Sequence, residues 1–232
     1  MQIDIYSDVV CPWCYIGERR LARALATLPS SQPVHVVFRP YQLDPGAPAP
    51  GVPFREHMAR RYGSGVDRML DSVTAAGRSE GITFAWDEAL SANTHTAHRL
   101  LQWTAREHGA DAQRALAERL FALHFTEGGD VSSIDALVAS AAAVGIDAAS
   151  ARAHLESGDG VPELDAAFDH ARRLGIQGVP AFIIDGRFVV QGAQPVSAFV
   201  QALEQAMQER TPDASATGGE GCADGACAVP GA

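Results

Sequence analysis

Strand-like patterns occur only near the two ends of this 232-residue chain, and the long stretch between them reads as helix. Positions 2–7, Gln-Ile-Asp-Ile-Tyr-Ser, alternate polar and apolar residues with the period of a half-buried strand. Positions 34–38 form a second strand, closed by Arg39-Pro40. Strand signals return only at 181–184 and 187–191, on either side of Asp185-Gly186, a dipeptide that favours the tight turn of a β-hairpin. Pro12 stands where a helix can begin, because proline is tolerated in the first turn. Leu21, Ala24, Leu25 and Leu28 carry that helix toward Pro29.

The segment 44–53 holds four prolines and two glycines, so it is a loop leaving one unit for another. Helices are expected near 54–62, 66–80, 94–108, 112–126, 132–144, 147–156 and 162–174. Their stops fall at Gly63, Gly81, Gly109, Gly128, Gly145, Gly158 and Gly175, where a helix C-terminus favours glycine. Leu116, Leu120, Phe121, Leu123 and His124 mark one buried stripe, and Phe199, Leu203 and Ala206 mark another on a last helix over 195–208. The order is β-α-β, a helical excursion, then β-β-α. Positions 211–232 are rich in Gly, Ala, Pro and Ser and read as a flexible tail.

Hydrophobic residues make up 47% of the chain, enough for one sizeable core or a core plus an insertion. The net charge is −10 and all 18 basic residues are arginine, spread along the chain. Nucleic acid is therefore not an expected partner, since phosphate binding needs clustered basic charge. No apolar run approaches a membrane span and no secretory leader is visible, so a cytoplasmic setting is expected. In that setting disulfides are transient and catalytic more often than structural, which turns attention to the four cysteines.

Cys11 and Cys14 flank Pro12-Trp13 just after the first strand. A cysteine at a helix N-terminus faces unpaired backbone N–H groups and the positive end of the helix dipole, and both favour an anion. Cys11 is thus the expected attacking thiolate, and Cys14, one turn further in, the more buried resolving thiol. Pro12 stiffens the turn between them, and Trp13 is expected to be exposed and to shape access. Zinc is the competing reading. Structural zinc usually takes four ligands, and this pair supplies two. Cys222 and Cys227 lie in the tail, and among the histidines only His95 and His98 stand close together. An inert pair is the third reading. Far downstream, Gly178-Val179-Pro180 precedes a strand, a context in which proline is either an ordinary trans strand opener or a cis peptide.

Together these features resemble a thioredoxin fold with a large all-helical insertion, the α/β arrangement of DsbA-like proteins. More narrowly, the blocks Ser7–Gly17, Arg39–Pro45, Asn93–Leu100 and Gly192–Pro195 resemble the FrnE-like subgroup. The resemblance implies a thioredoxin-like unit over 1–45 and 176–209, a helical insertion over 46–175 and a tail over 210–232. It implies that Pro180 is a cis-proline beside the dithiol and that Val179 offers its backbone to an extended substrate segment. It also turns the block containing Asn93 and His98 toward the cleft. Read on its own, Asn93 is a helix N-cap and His98 a structural histidine. Some FrnE-like proteins carry a second C-terminal cysteine pair, so Cys222 and Cys227 become candidates for a redox relay, which tethering would favour.

The function expected is thiol–disulfide exchange on a disulfide- or thiol-containing protein or small molecule. No metal or organic cofactor is required for it, and glutathione is a candidate redox partner. A glutathione-dependent isomerase or transferase of the 2-hydroxychromene-2-carboxylate isomerase type is the alternative, although those relatives use serine where Cys11 stands. A polyketide-tailoring enzyme and a non-catalytic zinc-holding adaptor are the remaining readings.

Overall fold

The computed structural model describes residues 1–29 and 31–210, and at positions 61, 62, 64 and 210 the backbone only. Four strands form one sheet: β1 (Gln2–Ser7), β2 (His35–Pro40), β5 (Ala181–Ile184) and β6 (Phe188–Gln191), in the order β2-β1-β5-β6. β1 runs parallel to β2 and antiparallel to β5, and β5 is antiparallel to β6. The register stacks apolar residues into two rows on one face. One row is Val36, Ile3, Ile184 and Phe188; the other is Phe38, Ile5, Phe182 and Val190. A one-residue slip would turn all eight to the opposite face, so their burial fixes the register.

The β5–β6 turn needs two consecutive residues with positive φ, and Asp185 (50°) and Gly186 (68°) supply them. This is the hairpin geometry expected of Asp-Gly.

Helices α1 (Pro12–Leu25) and α9 (Val196–Arg210) cover the apolar face. Phe182 meets Phe199 edge-to-face at 4.7 Å. Gly17 lets α1 approach closely, since a Cβ there would lie 3.0 Å from Phe182 Cζ and 3.1 Å from Pro180 Cγ. The other face carries Tyr6 and Ala181, on which Ala171 of α8 (Val161–Arg173) packs. At the β2 edge, Gln113 of α5 (Ala110–Phe125) substitutes for a neighbouring strand. Its Oε1 accepts from Phe38 N at 2.9 Å and its Nε2 donates to Phe38 O at 3.0 Å.

The excursion contributes α2 (Phe54–Tyr62), α3 (Val66–Arg78), α4 (His95–His108), α6 (Ile134–Ala143) and α7 (Ala148–Glu156) besides α5 and α8. Four details differ from the sequence reading. The excursion is not wholly helical, because Val52–Pro53 (β3) pairs with Leu90–Ser91 (β4) in a two-residue ladder. α1 stops at Leu25, and Thr27 N and Leu28 N bond three residues back in a tightened last turn. Gly158 does not end α7. The residue with positive φ is Gly160 (81°), which opens α8. Asn93 is displaced by one position from the N-cap of α4, which is Thr94, although the Asn93 carboxamide still accepts from His95 N at 2.9 Å.

Candidate active site

Cys11 is the N-cap of α1, with extended backbone (φ −95°, ψ 111°) and no capping hydrogen bond from its side chain. Its N–H donates to Asp8 O at 3.0 Å, while its carbonyl receives Cys14 N at 3.0 Å and Tyr15 N at 3.3 Å. The thiol is therefore not consumed in holding the helix end. Instead Cys11 Sγ donates to Val179 O at 3.7 Å, across 168 residues of sequence. The Val179–Pro180 peptide is cis. Hydrogen bonds from Gly192 N to Pro180 O (2.7 Å) and from Gln191 Nε2 to Gly178 O (2.9 Å) fix this loop to β6.

Both cysteines are free thiols and both are buried, Cys14 slightly more deeply. Burial pushes the Cys14 thiol well above its usual range, and the adjacent Cys11 thiol pushes it further. The Ser7 side chain and a backbone hydrogen bond at Asp8 act in the opposite direction.

Beneath the dithiol lies a buried carboxylate–imidazole pair. Asp8 Oδ1 is 3.2 Å from His98 Nε2, and Asp8 Oδ2 accepts from Leu43 N at 2.8 Å. Phe168 of α8 stands edge-on to the His98 ring at 5.7 Å. Asn93 is directed elsewhere. Its Nδ2 donates to Pro45 O (3.0 Å) and Ala47 O (3.4 Å), so it ties the proline-rich loop to the start of α4.

Cys11 opens into a cavity of about 310 Å³ whose walls include Trp13, Val179, Phe54, Met58, Met69 and Trp86. Trp13 is 36% exposed at its edge. A larger, open depression of about 850 Å³ lies against the sheet face of Asp4 and Tyr6. It reaches neither thiol, whereas the smaller cavity borders Cys11.

The structure thus gathers Cys11, Cys14, Trp13, Val179 and Pro180 at one place and sets His98 behind them, whereas Asn93 serves the loop. Cys222 and Cys227 lie outside the described residues. Among the described residues, no three His, Cys, Asp or Glu side chains converge to hold a metal ion. Sequence reasoning assigned no role to Ser7, Asp8, Met58 or Met69. A polar Ser-Asp pair ending an apolar strand was the available signal for the first two.

A family model described as DSBA-like thioredoxin domain matches residues 2–204. The chain belongs to this family. A probable DsbA oxidoreductase from Streptomyces coelicolor is 35% identical, with a TM-score of 0.82 and 100% of each chain covered. The cytosolic disulfide reductase DsbM from Pseudomonas aeruginosa, solved with GSH, superposes at a TM-score of 0.64 with 19% identity, over 90% of this chain and 100% of that one. A 2-hydroxychromene-2-carboxylate isomerase does so at 0.62 with 18% identity, over 90% and 95%. These last two likenesses concern the fold alone.

Proposed function

We propose that this DsbA-family chain is a thiol–disulfide oxidoreductase whose redox centre is Cys11-Pro12-Trp13-Cys14. The observation that carries the reading is the asymmetry of the two thiols. Cys11 caps a helix with its sulfur free of the helix end and turned to the Val179 carbonyl of the cis-proline loop, at the wall of a cavity. Cys14 is sealed behind it and held protonated by burial.

In the reductive direction, the Cys11 thiolate attacks one sulfur of a substrate disulfide. The S–S bond breaks, the first substrate thiolate leaves, and a mixed disulfide forms at Cys11. Cys14 then loses its proton and attacks Cys11 Sγ, releasing the second substrate thiol and closing the Cys11–Cys14 disulfide. Two electrons pass from the dithiol to the substrate, and the oxidative direction is the reverse. The Ser7 side chain and the Asp8 backbone favour the Cys14 thiolate as it develops. Val179 presents its backbone to the substrate segment.

The motif blocks resemble those of the FrnE-like subgroup, and on that reading Cys222 and Cys227 exchange disulfides with the main centre. Serine at both tail positions should then slow turnover while leaving the first half-reaction intact.

The test is insulin-disulfide reduction together with trapping. Cys14→Ser should accumulate a mixed disulfide visible as a mass increase, and Cys11→Ser should be inactive. Full insulin reduction by Cys11→Ser would end the proposal. The isomerase alternative rests on shared fold, and glutathione-dependent isomerisation retained by Cys11→Ser would favour it instead.

A further inference from the structure

On the sheet face opposite α1 the helical cover is incomplete. Alternation along β1 turns Asp4 and Tyr6 to this face, away from Ile3 and Ile5. α8 and its N-cap lie over it with small residues, Gly160, Ala166 and Ala167, which leave the open depression of about 850 Å³ unfilled. Helix α4 supplies the third wall. Arg99, Gln102, Trp103 and Arg106 stand at i, i+3, i+4 and i+7, so a single stripe of the helix borders the depression.

Arg99 is 8% exposed, yet it forms no salt bridge among the described residues. Its Nη2 donates to the carbonyls of His154 (2.9 Å) and Leu155 (2.5 Å) in the last turn of α7. Its Nε is sealed without a partner, and its Nη1 bonds to no described residue. Burial works against the guanidinium charge, and Asp159 pulls the other way. A buried cation with no counter-ion bears a desolvation cost that an anion would offset.

The neighbouring groups extend the positive character. Arg106 pairs with Glu107, the next residue, at 2.6 Å, an exposed contact of little strength. Burial, then the charges of Arg99 and Arg106, push His154 below its ordinary range, and its Nε2 is buried without a partner. Trp103 stacks on that imidazole at 5.2 Å. On the sheet wall Arg39 holds Asp4 at 2.7 Å, so Glu163 is the remaining lining carboxylate against Arg99 and Arg106. This cationic excess stands out in a chain whose net charge is −10.

We infer that this depression is a binding site for a small organic anion, a carboxylate or phosphate group on an aromatic or apolar body, with Arg99 as its counter-ion. The site includes neither thiol and does not rest on the oxidoreductase reading. Guanidinium forks suit both kinds of oxyanion, and Tyr6, Trp103, Leu174 and Ile183 give the body apolar walls. The volume lies toward the upper end of ligand pockets, roughly 300–1,000 Å³.

The test is an NMR titration of the reduced full-length protein with phenylacetate, phenyl phosphate, phenylacetamide and phenethylamine. The chain has three tryptophans, and their indole N–H signals locate the ligand. Trp103 lines this depression, whereas Trp13 and Trp86 line the cavity at Cys11. Trp13→Phe, Trp86→Phe and Trp103→Phe assign the signals. The anions should shift the Trp103 signal and bind about tenfold or more tightly than the neutral amide, the scale of one charge-assisted hydrogen bond. If one anion alone binds, the site is assigned to that group. Arg99→Gln should abolish the preference for the anion. Ala167→Glu, which sets a carboxylate into the depression without altering Arg99, should do the same, and thermal melts check that each variant is folded. The second variant decides the matter if the first does not fold. Equal affinity for acid and amide, or tighter binding of phenethylamine, would overturn the site. So would failure of both anions to bind, shifts confined to Trp13 and Trp86, or undiminished anion binding by folded Ala167→Glu.

Discussion

His124 sits fully buried on α5, edge-on to Phe125 at 4.5 Å, and neither ring nitrogen meets a hydrogen-bond partner among the described residues. Burial pushes its pKa down to about 4, against a weaker upward pull from Asp8 and Asp130. An unfolded chain returns the ring to about 6.5. The folded pKa is the lower of the two, so folding favours the neutral ring. The associated stability is complete above about pH 6.5 and is lost as pH falls toward 4. The full loss is about 3 kcal/mol, at about 1.4 kcal/mol per pH unit, and about 2 kcal/mol of it has gone by pH 5. Leucine at this position has nothing to titrate. In circular-dichroism melts, wild type should lose roughly 4–8 °C more than His124→Leu between pH 7 and pH 5, given about 2–4 °C per kcal/mol for a chain of this size. Other groups titrate equally in both proteins and cancel in the comparison. Identical pH-dependent losses would refute the argument, because they would mean that His124 charges in the folded state as readily as in the unfolded one.

Two further substitutions test how the site is mounted. Gly17→Val should destabilise by about 1–3 kcal/mol, because its side chain drives into Phe182 and Pro180. By lifting α1 it should also slow the reaction of Cys11 with insulin disulfides, read as turnover beside a thermal melt. His98→Leu removes the partner of Asp8 Oδ1, leaving Leu43 N as the bond to this buried carboxyl group, and should cost about 1–3 kcal/mol in urea unfolding at pH 7. A loss below about 1 kcal/mol would show that the pair carries little of the fold.

Most element boundaries were legible because helix ends carry local signals. Gly63, Gly81, Gly109, Gly145 and Gly175 all have positive φ just beyond a helix. The misplaced stop at Gly158 arose where the sequence offers Gly-Asp-Gly, two candidates with no periodicity between them to choose. The β3–β4 ladder was invisible for a different reason, since two residues per strand are too few to show alternation. The DsbA-like fold was readable from the β-α-β and β-β-α ends with the two motifs. The cavity was not, because its walls come from residues 8–13, 43–58, 69–94 and 179, brought together only by tertiary packing. Trp86 illustrates the point. It is a buried core residue that also lines the opening beside Cys11, and no local pattern around it signals the second position.

Helix α1 is anchored along its length to both parts of the molecule. Gly17 seats it on Phe182 and Pro180, and Arg20 reaches Ala193 O at 2.6 Å. Arg20 and Arg23 together grip Glu80 just past α3, at 2.8 and 2.9 Å, and Glu18 takes two bonds from Arg114 of α5. The sulfur and the Val179 carbonyl therefore share a single rigid mount. Bending of α2 relative to that mount would change the shape of what the cavity beside Cys11 admits while the distance from thiol to loop stayed constant. Such a layout lets the shape of the cavity be retuned by substitutions in α2 and α3 with the Cys11–Cys14 pair left as it is.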